Sequence, residues 1–250
     1  MEQKQILQDK KAKFNLKRKL WHLLGLIIPL LLYLDIFRFI EPENPHITRY
    51  IGMWLILGFL IFLILIEIIR LNYEPFNQFF IRVCGPLLKE NEYHQMHGSI
   101  SYIFANFILF LFFTKEIITL SSLILMICDP IAAYIGIFYG KRKFKNGKSI
   151  EGFIAFFISS FIVSIAFLGL ITLFHIGSGE LFLSKLNFFK VTIILSISSL
   201  FCSLIEFFSF TTLNGLIDDN LTIPLGAAFI LSILFYLFGF PLEAVFSPLI

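Results

Sequence analysis

Apolar residues in this chain do not alternate in short stripes; they run on. Nearly uninterrupted apolar stretches cover 20–40, 51–69, 99–114, 117–139, 150–174, 187–206 and 222–240, and a helix needs about 20 such residues to cross a hydrocarbon core. An α-helix satisfies its backbone polar groups within one segment. The pattern therefore predicts an all-α, polytopic transmembrane helical bundle of about seven spans. The third stretch is the shortest and reads as a short or tilted helix, or as half of a hairpin with the fourth. The first follows a basic N-terminus, as a signal peptide would, but Trp21 to Phe39 is too long and lacks a small-residue cleavage site. It is expected to stay as a span. No linker, low-complexity tract or internal repeat divides the chain, so 1–250 is expected to be a single domain with 1–17 as a basic N-terminal segment.

Composition changes the assumed solvent. Apolar residues make up 58% and charged residues 15% of the chain, against roughly 45–50% and 25% in soluble domains, and the mean hydropathy is +0.86. A soluble domain is excluded, and no nucleic-acid partner is expected. Cys84, Cys128 and Cys202 lack zinc, dithiol or disulfide-framework spacing and read as small apolar fillers. Charge sets the orientation. Segments 1–19, 70–98, 140–149 and 207–221 hold 15 of the 20 Lys and Arg, which places the N-terminus and these loops in the cytoplasm. Short loops and the absence of a targeting sequence suit a prokaryotic plasma membrane. Oligomeric state is not written in the sequence.

An ionised side chain inside a span costs roughly 2.5–3.5 kcal/mol on insertion scales and is a functional candidate by default. Four places stand out: Arg18-Lys19-x-x-His22, Glu67-x-x-Arg70, Asp129, and Glu206 with Asp218-Asp219-Asn220. All fall at or near the cytoplasmic side of the seven-span arrangement. Asp129 is followed by Ala132, Ala133, Gly136 and Gly140 on one helical face, where either another helix or a ligand can approach the backbone. Lys148, Ser149, Glu151 and Gly152 place a cation, a hydroxyl, a carboxylate and an unhindered backbone at a helix start, which favours phosphate. Positive-inside anchoring explains the preceding basic residues equally well. Asp218-Asp219-Asn220 reads as a helix cap or as oxygen ligands for magnesium. Glu67 and Arg70, three apart, can simply pair. His22 reads as a structural histidine, a phosphate contact or a proton carrier.

In order along the chain, Arg18-Lys19-x-x-His22-x-x-Gly25, Glu67-x-x-Arg70, the helix from Asp129 to Gly140, Lys148-Ser149-x-Glu151-Gly152 and Asp219-Asn220-Leu221-x-x-Pro224 resemble the polyprenol kinase family. That family includes dolichol, phytol and farnesol kinases and the CTP-dependent diacylglycerol kinase. Its members usually carry a glycine before the aspartate, where this chain has Cys128, followed by Pro130. The resemblance implies phosphoryl transfer from a nucleoside triphosphate, characteristically CTP, to the hydroxyl of a membrane-embedded lipid alcohol, an isoprenoid or diacylglycerol. On this basis Asp129 and Asp219 are expected to hold Mg2+ or another divalent cation, with Asn220 as ligand or orienting group. Arg18, Lys19 and Lys148 would clamp phosphate oxygens, and His22, Gly136, Gly140, Ser149 and Gly152 would border the nucleotide. Glu206 or Glu151 would be the base for the lipid hydroxyl.

Two rivals are weighed against this. A phosphatidate cytidylyltransferase also presents an aspartate helix followed by a basic loop, but the Arg-Lys-x-x-His and Asp-Asn motifs suit the kinases better. A transporter would show paired repeats and interrupted helices related between halves, which are not seen.

Overall fold

The computed structural model of the protein describes residues 14–144, 146–175, 181 and 187–249; most of the basic segment 1–17, and Lys145, lie outside the described residues. Among the described residues the chain is all-α, with ten α-helices and only isolated β-bridges. Helix α1 (Leu16–Leu23) opens on Asn15, whose Oδ1 accepts from the Arg18 amide at 3.1 Å and whose Nδ2 donates to the Pro86 carbonyl at 2.8 Å. A 3-10 turn, Leu24–Leu26, leads into α2 (Ile27–Tyr33). Pro29 accounts for an irregularity here: it has no N–H for the Gly25 carbonyl four residues back. That carbonyl instead accepts from the Tyr102 hydroxyl at 2.8 Å.

The first expected span, 20–40, is thus displaced and interrupted, and 34–40 forms turns with Asp35 at a φ of 50°. The other stretches lie close to their expected bounds, as α3 (Ile47–Asn72), α5 (Gly98–Phe112), α8 (Ile150–Leu173), α9 (Phe188–Phe208) and α10 (Asp219–Leu237). The fourth is split by a π turn, Ile124–Cys128, into α6 (Lys115–Leu123) and α7 (Asp129–Phe138). Helix α4 (Glu74–Cys84) was not anticipated, because its apolar side chains Phe79 and Val83 occupy only one exposed face of a short polar segment.

Among the described residues, five helical stretches are long and apolar enough to cross a membrane: α3, Lys115–Phe138, α8, α9 and α10. Helix α5 is a shorter apolar helix, and α1 with α2 forms a broken apolar stretch. Polar contacts show that passes alternate between two ends of the bundle. At the near end Lys19 meets Asp129, Arg70 meets the segment before α5, and Lys148 meets Glu206. At the far end Lys115 meets Asp35 at 2.8 Å, Arg49 donates to the carbonyls of Phe110, Leu111 and Ser247, and Thr114 donates to the Ala244 carbonyl.

Helix α10 packs against α5, α6 and α9, while α7 packs on α8 and α8 on α9. The shared core contains Leu109, Ile117, Leu120, Leu125, Ala227 and Leu231, all fully buried. Helix α3 is peripheral and presents Trp54, Leu55, Phe62 and Leu65 outward. In hydrocarbon such a surface is solvated and needs no protein partner.

Candidate active site

Asp129 begins α7 directly after the π turn and before Pro130. A π turn inserts an extra residue into the helical register, and such turns cluster at functional sites. The Asp129 carboxylate is buried and its Oδ2 accepts from Lys19 Nζ at 2.6 Å. This pair joins residues 110 positions apart and compensates a charge that would be costly alone in apolar surroundings. One turn along α1, His22 is placed beside it. The His22 ring bonds to the Leu125 backbone, while Nε2 is buried without a partner.

The segment before α5 is fastened by Arg70. Its guanidinium binds Glu67 through Nε to Oε1 at 3.0 Å and Nη2 to Oε2 at 2.5 Å, and donates to Asn77 Oδ1 and to the carbonyls of Glu92 and Gln95. Arg70 is fully buried. A fork of fixed donors that also grips main-chain carbonyls sets the path of a loop. Glu67 and Arg70 therefore pair with each other, and by doing so they place Lys89, Glu92 and His97. Lys89 Nζ lies 3.6 Å from Asp219 Oδ1, and the His97 side chain caps α5 by accepting from the Ser99 amide.

The third part is the turn before α10. Leu213 and Asn214 have positive φ, Gly215 has a φ of +96°, and the Met96 amide donates to the Asn214 carbonyl at 2.9 Å. A Cβ on Gly215 would stand 2.7 Å from the Met96 carbonyl oxygen, so only glycine fits. The turn delivers Asp218 as the N-cap of α10: Oδ1 accepts from the Asn220 amide at 3.0 Å and Oδ2 from Asn220 Nδ2 at 2.8 Å. Gly98 keeps this cluster close, since a Cβ there would meet Asn220 Nδ2.

These parts surround one cavity of about 300 Å³. Arg18, Lys19, His22, Lys89, Asp129, Asp219 and Asn220 line one region of it, and Trp21, Leu24, Ile28, Phe59 and Leu63 line another. Asp129 and Asp219 are thus brought together. Glu206, Lys148, Ser149, Glu151, Gly136, Gly140 and Gly152 are not in its lining. Lys148 donates to the Glu206 carboxylate at 2.6 Å, to the Glu206 carbonyl and to Ser209 Oγ at 2.9 Å, although its charge reaches Asp129 and Asp219. Ser149 caps α8 by accepting from the Gly152 amide at 3.1 Å. Glu151 turns toward the backbone of Lys141 and Arg142. Gly136 and Gly152 meet at the crossing of α7 and α8, and Gly140 faces Ser149 there, so all three serve close helix packing. Lys89, Glu92, His97 and Tyr102 are cavity residues that the sequence reading passed over. The polar run Lys89-Glu-Asn-Glu-Tyr-His-Gln-Met-His97, on the same side as the other candidates, was the available signal.

Outside the spans, burial and then the adjacent Asp219 charge push the Asp218 carboxyl up to about 7. The Asp219 carboxylate raises the Lys89 ammonium despite burial, and burial lowers His97. No group of three His, Cys, Asp or Glu side chains that could hold a metal ion occurs among the described residues. Two carboxylates with Asn220 beside them do fit magnesium that comes with a nucleotide, since such ions take one or two carboxylates plus substrate phosphates.

Fold and cavity together define a class: a polytopic helical membrane protein with a cluster of cations and carboxylates at one end of its bundle. No family model matches the chain, and no solved structure does. Relatives among known proteins are nonetheless clear. The chain is 28% identical over 189 residues to CTP-dependent diacylglycerol kinase 1 of Eremothecium gossypii, covering 72% of this chain and 57% of that one. It is 29% identical over 168 residues to the protein of that name from Schizosaccharomyces pombe, covering 66% and 72%. To an uncharacterized protein of Rickettsia prowazekii it is 30% identical over 217 residues, covering 85% and 91%. The match therefore spans little more than half of the Eremothecium kinase. The chain belongs to the polyprenol kinase-like family that contains the CTP-dependent diacylglycerol kinases.

Proposed function

We propose that this protein is a CTP-dependent lipid kinase that transfers the terminal phosphoryl group of CTP to the hydroxyl of a lipid alcohol. The carrying observation is the single cavity in which Arg18, Lys19 and Lys89 surround Asp129 and Asp219 while Trp21, Leu24 and Phe59 supply an apolar side. Phosphoryl transfer needs positioning and charge neutralisation more than covalent help. The names of the fungal relatives favour CTP as donor and diacylglycerol as acceptor; isoprenoid alcohols carry the same reacting group.

Arg18, Lys19 and Lys89 bind phosphate oxygens, and Lys148 adds positive potential from behind. Asp129 and Asp219, with Asn220, would hold a divalent cation, which supplies neutralisation of phosphate charge when bound. The unpartnered His22 Nε2 accepts the proton of the lipid hydroxyl as its oxygen bonds to the γ-phosphorus and CDP departs. That role falls to His22 rather than to Glu206 or Glu151, which point elsewhere. All seven passes cross the membrane, the N-terminus and the site face the cytoplasm, and the host membrane is a prokaryotic plasma membrane.

Purified protein is incubated with diacylglycerol, phytol, farnesol and a polyprenol, with each of the four nucleoside triphosphates labelled at the γ or the α position. Label from γ-CTP in a phosphorylated lipid is the expected result. Transfer of the α label alone marks a cytidylyltransferase and rejects the proposal, as does solute movement in liposomes with no lipid product.

A further inference from the structure

A water-insoluble acceptor has to reach a buried carboxylate from within the bilayer. One wall of the cavity is a stripe on α1 and the turn after it. Arg18, Trp21, Leu24 and Ile28 recur three, three and four residues apart, which keeps them on one helical face over about 15 Å, and all four line the cavity. The stripe begins with a cation and ends with an aliphatic side chain. The facing wall is α3, where Phe59 and Leu63 line the same cavity. Glu67 and Arg70 follow them toward the near end. The α1 wall grades from charged to apolar away from the near end, and α3 adds only apolar side chains to the lining.

The space between these walls opens sideways. Trp21, Leu24 and Phe59 line the cavity yet keep 48%, 51% and 49% of their surface exposed, whereas Tyr102 and Met126 on its inner side are buried. Helix α3 is the least covered of the five long helices, and it packs chiefly against α5 and α4, with only light contact to α2. This mouth lies on the lipid-facing side of the bundle. The half-exposed apolar side chains at this mouth suit a lipid chain, the medium that also solvates the outer face of α3. A chain ending in a hydroxyl matches the change from apolar to charged lining.

We propose that the slot between α1 and α3 is a lateral entrance that holds the hydrocarbon chain of the acceptor lipid and delivers its hydroxyl to His22 beside the Lys19–Asp129 pair. The assignment rests on the lipid-kinase reading for the identity of the occupant. Its test separates the two. Full-length protein in phosphatidylcholine liposomes is irradiated with a diacylglycerol that carries a diazirine on one acyl chain near the glycerol, and the labelled peptides are mapped by mass spectrometry. Label is expected on the segments containing Trp21, Leu24, Phe59 and Leu63, suppressed by excess unmodified diacylglycerol.

Label confined to outward residues such as Ile158 or Leu200, or label in the slot that diacylglycerol does not displace, overturns the entrance. Specific slot labelling in a protein that turns over no CTP would reject the kinase while the entrance stands. Normal CTP turnover with label elsewhere would do the reverse. As a second readout, Leu63→Trp is expected to raise the KM for a long-chain acceptor about ten-fold with the KM for CTP unchanged; equal KM for the acceptor in variant and wild type counts against the slot.

Discussion

At the scale of single residues, the site is a set of compensated charges, and each compensation can be tested. Asp129→Asn and Asp219→Asn remove the carboxylates that face the cavity but keep shape and hydrogen bonding. Each is expected to lower turnover by about 100-fold or more, with an unchanged size-exclusion profile and far-UV circular dichroism. Full turnover in either folded variant would remove it from the mechanism. Lys19→Met leaves the buried Asp129 carboxylate unpaired, and losses of about 3–5 kcal/mol follow when one partner of such a pair is deleted; thermal melts in detergent measure this.

Asp218 carries a pH signature. Its folded pKa is raised to about 7, above the unfolded value of about 3.9, so the folded state holds a proton that the unfolded state has lost between those limits. Its contribution is largest in acid and is lost as pH rises through that window. Asp218→Asn retains an effective N-cap without the charge. Its melting temperature relative to wild type should therefore rise from pH 5 to pH 8, and a constant difference would contradict the assignment.

The elements show what could and could not be read from the chain. Long apolar runs give away α3, α8, α9 and α10, because nothing but a helix or a closed barrel crosses hydrocarbon. Candidates such as Asp129 and Asp219 were visible for the same reason: a carboxylate among apolar residues has no local excuse. Partners were not visible. The bond from Lys19 to Asp129 spans 110 residues, and no periodicity connects them. The break near Gly25 depends on Tyr102 offering a hydroxyl from another helix. Lys89 looked like one cation in a polar loop because the Arg70 fork that positions it is a tertiary contact. Gly136, Gly140 and Gly152 drew attention as an open backbone, and the structure fills that space with a helix crossing. The turn at 212–217 provides the test at this scale. Gly215→Ala forces a Cβ against the Met96 backbone at a positive φ, an expected loss of about 1–3 kcal/mol. The displaced Asp218–Asn220 cap should weaken activity further than the loss of folded protein explains, as read by specific activity per folded fraction.

For the whole molecule, the alternation of passes makes orientation measurable. With Cys84, Cys128 and Cys202 replaced by alanine, a membrane-impermeant maleimide added to intact cells should label Glu243→Cys at the far end, and Asn146→Cys only after lysis. The opposite pattern would invert the bundle and put the cavity outside. Orientation matters because one end of the bundle carries the candidate chemistry while the surrounding spans set its depth. The lysines of that end have one more consequence. Lys19 and Lys89 already answer the two aspartates, so the fold needs no ion to balance them, and a chelator should leave the melting curve where it was. A metal alone must evict two ammonium groups, and a triphosphate alone must draw them away from their carboxylates. Arriving together, each removes the other's obstacle, so cation and donor should load as a single cargo and bind poorly apart.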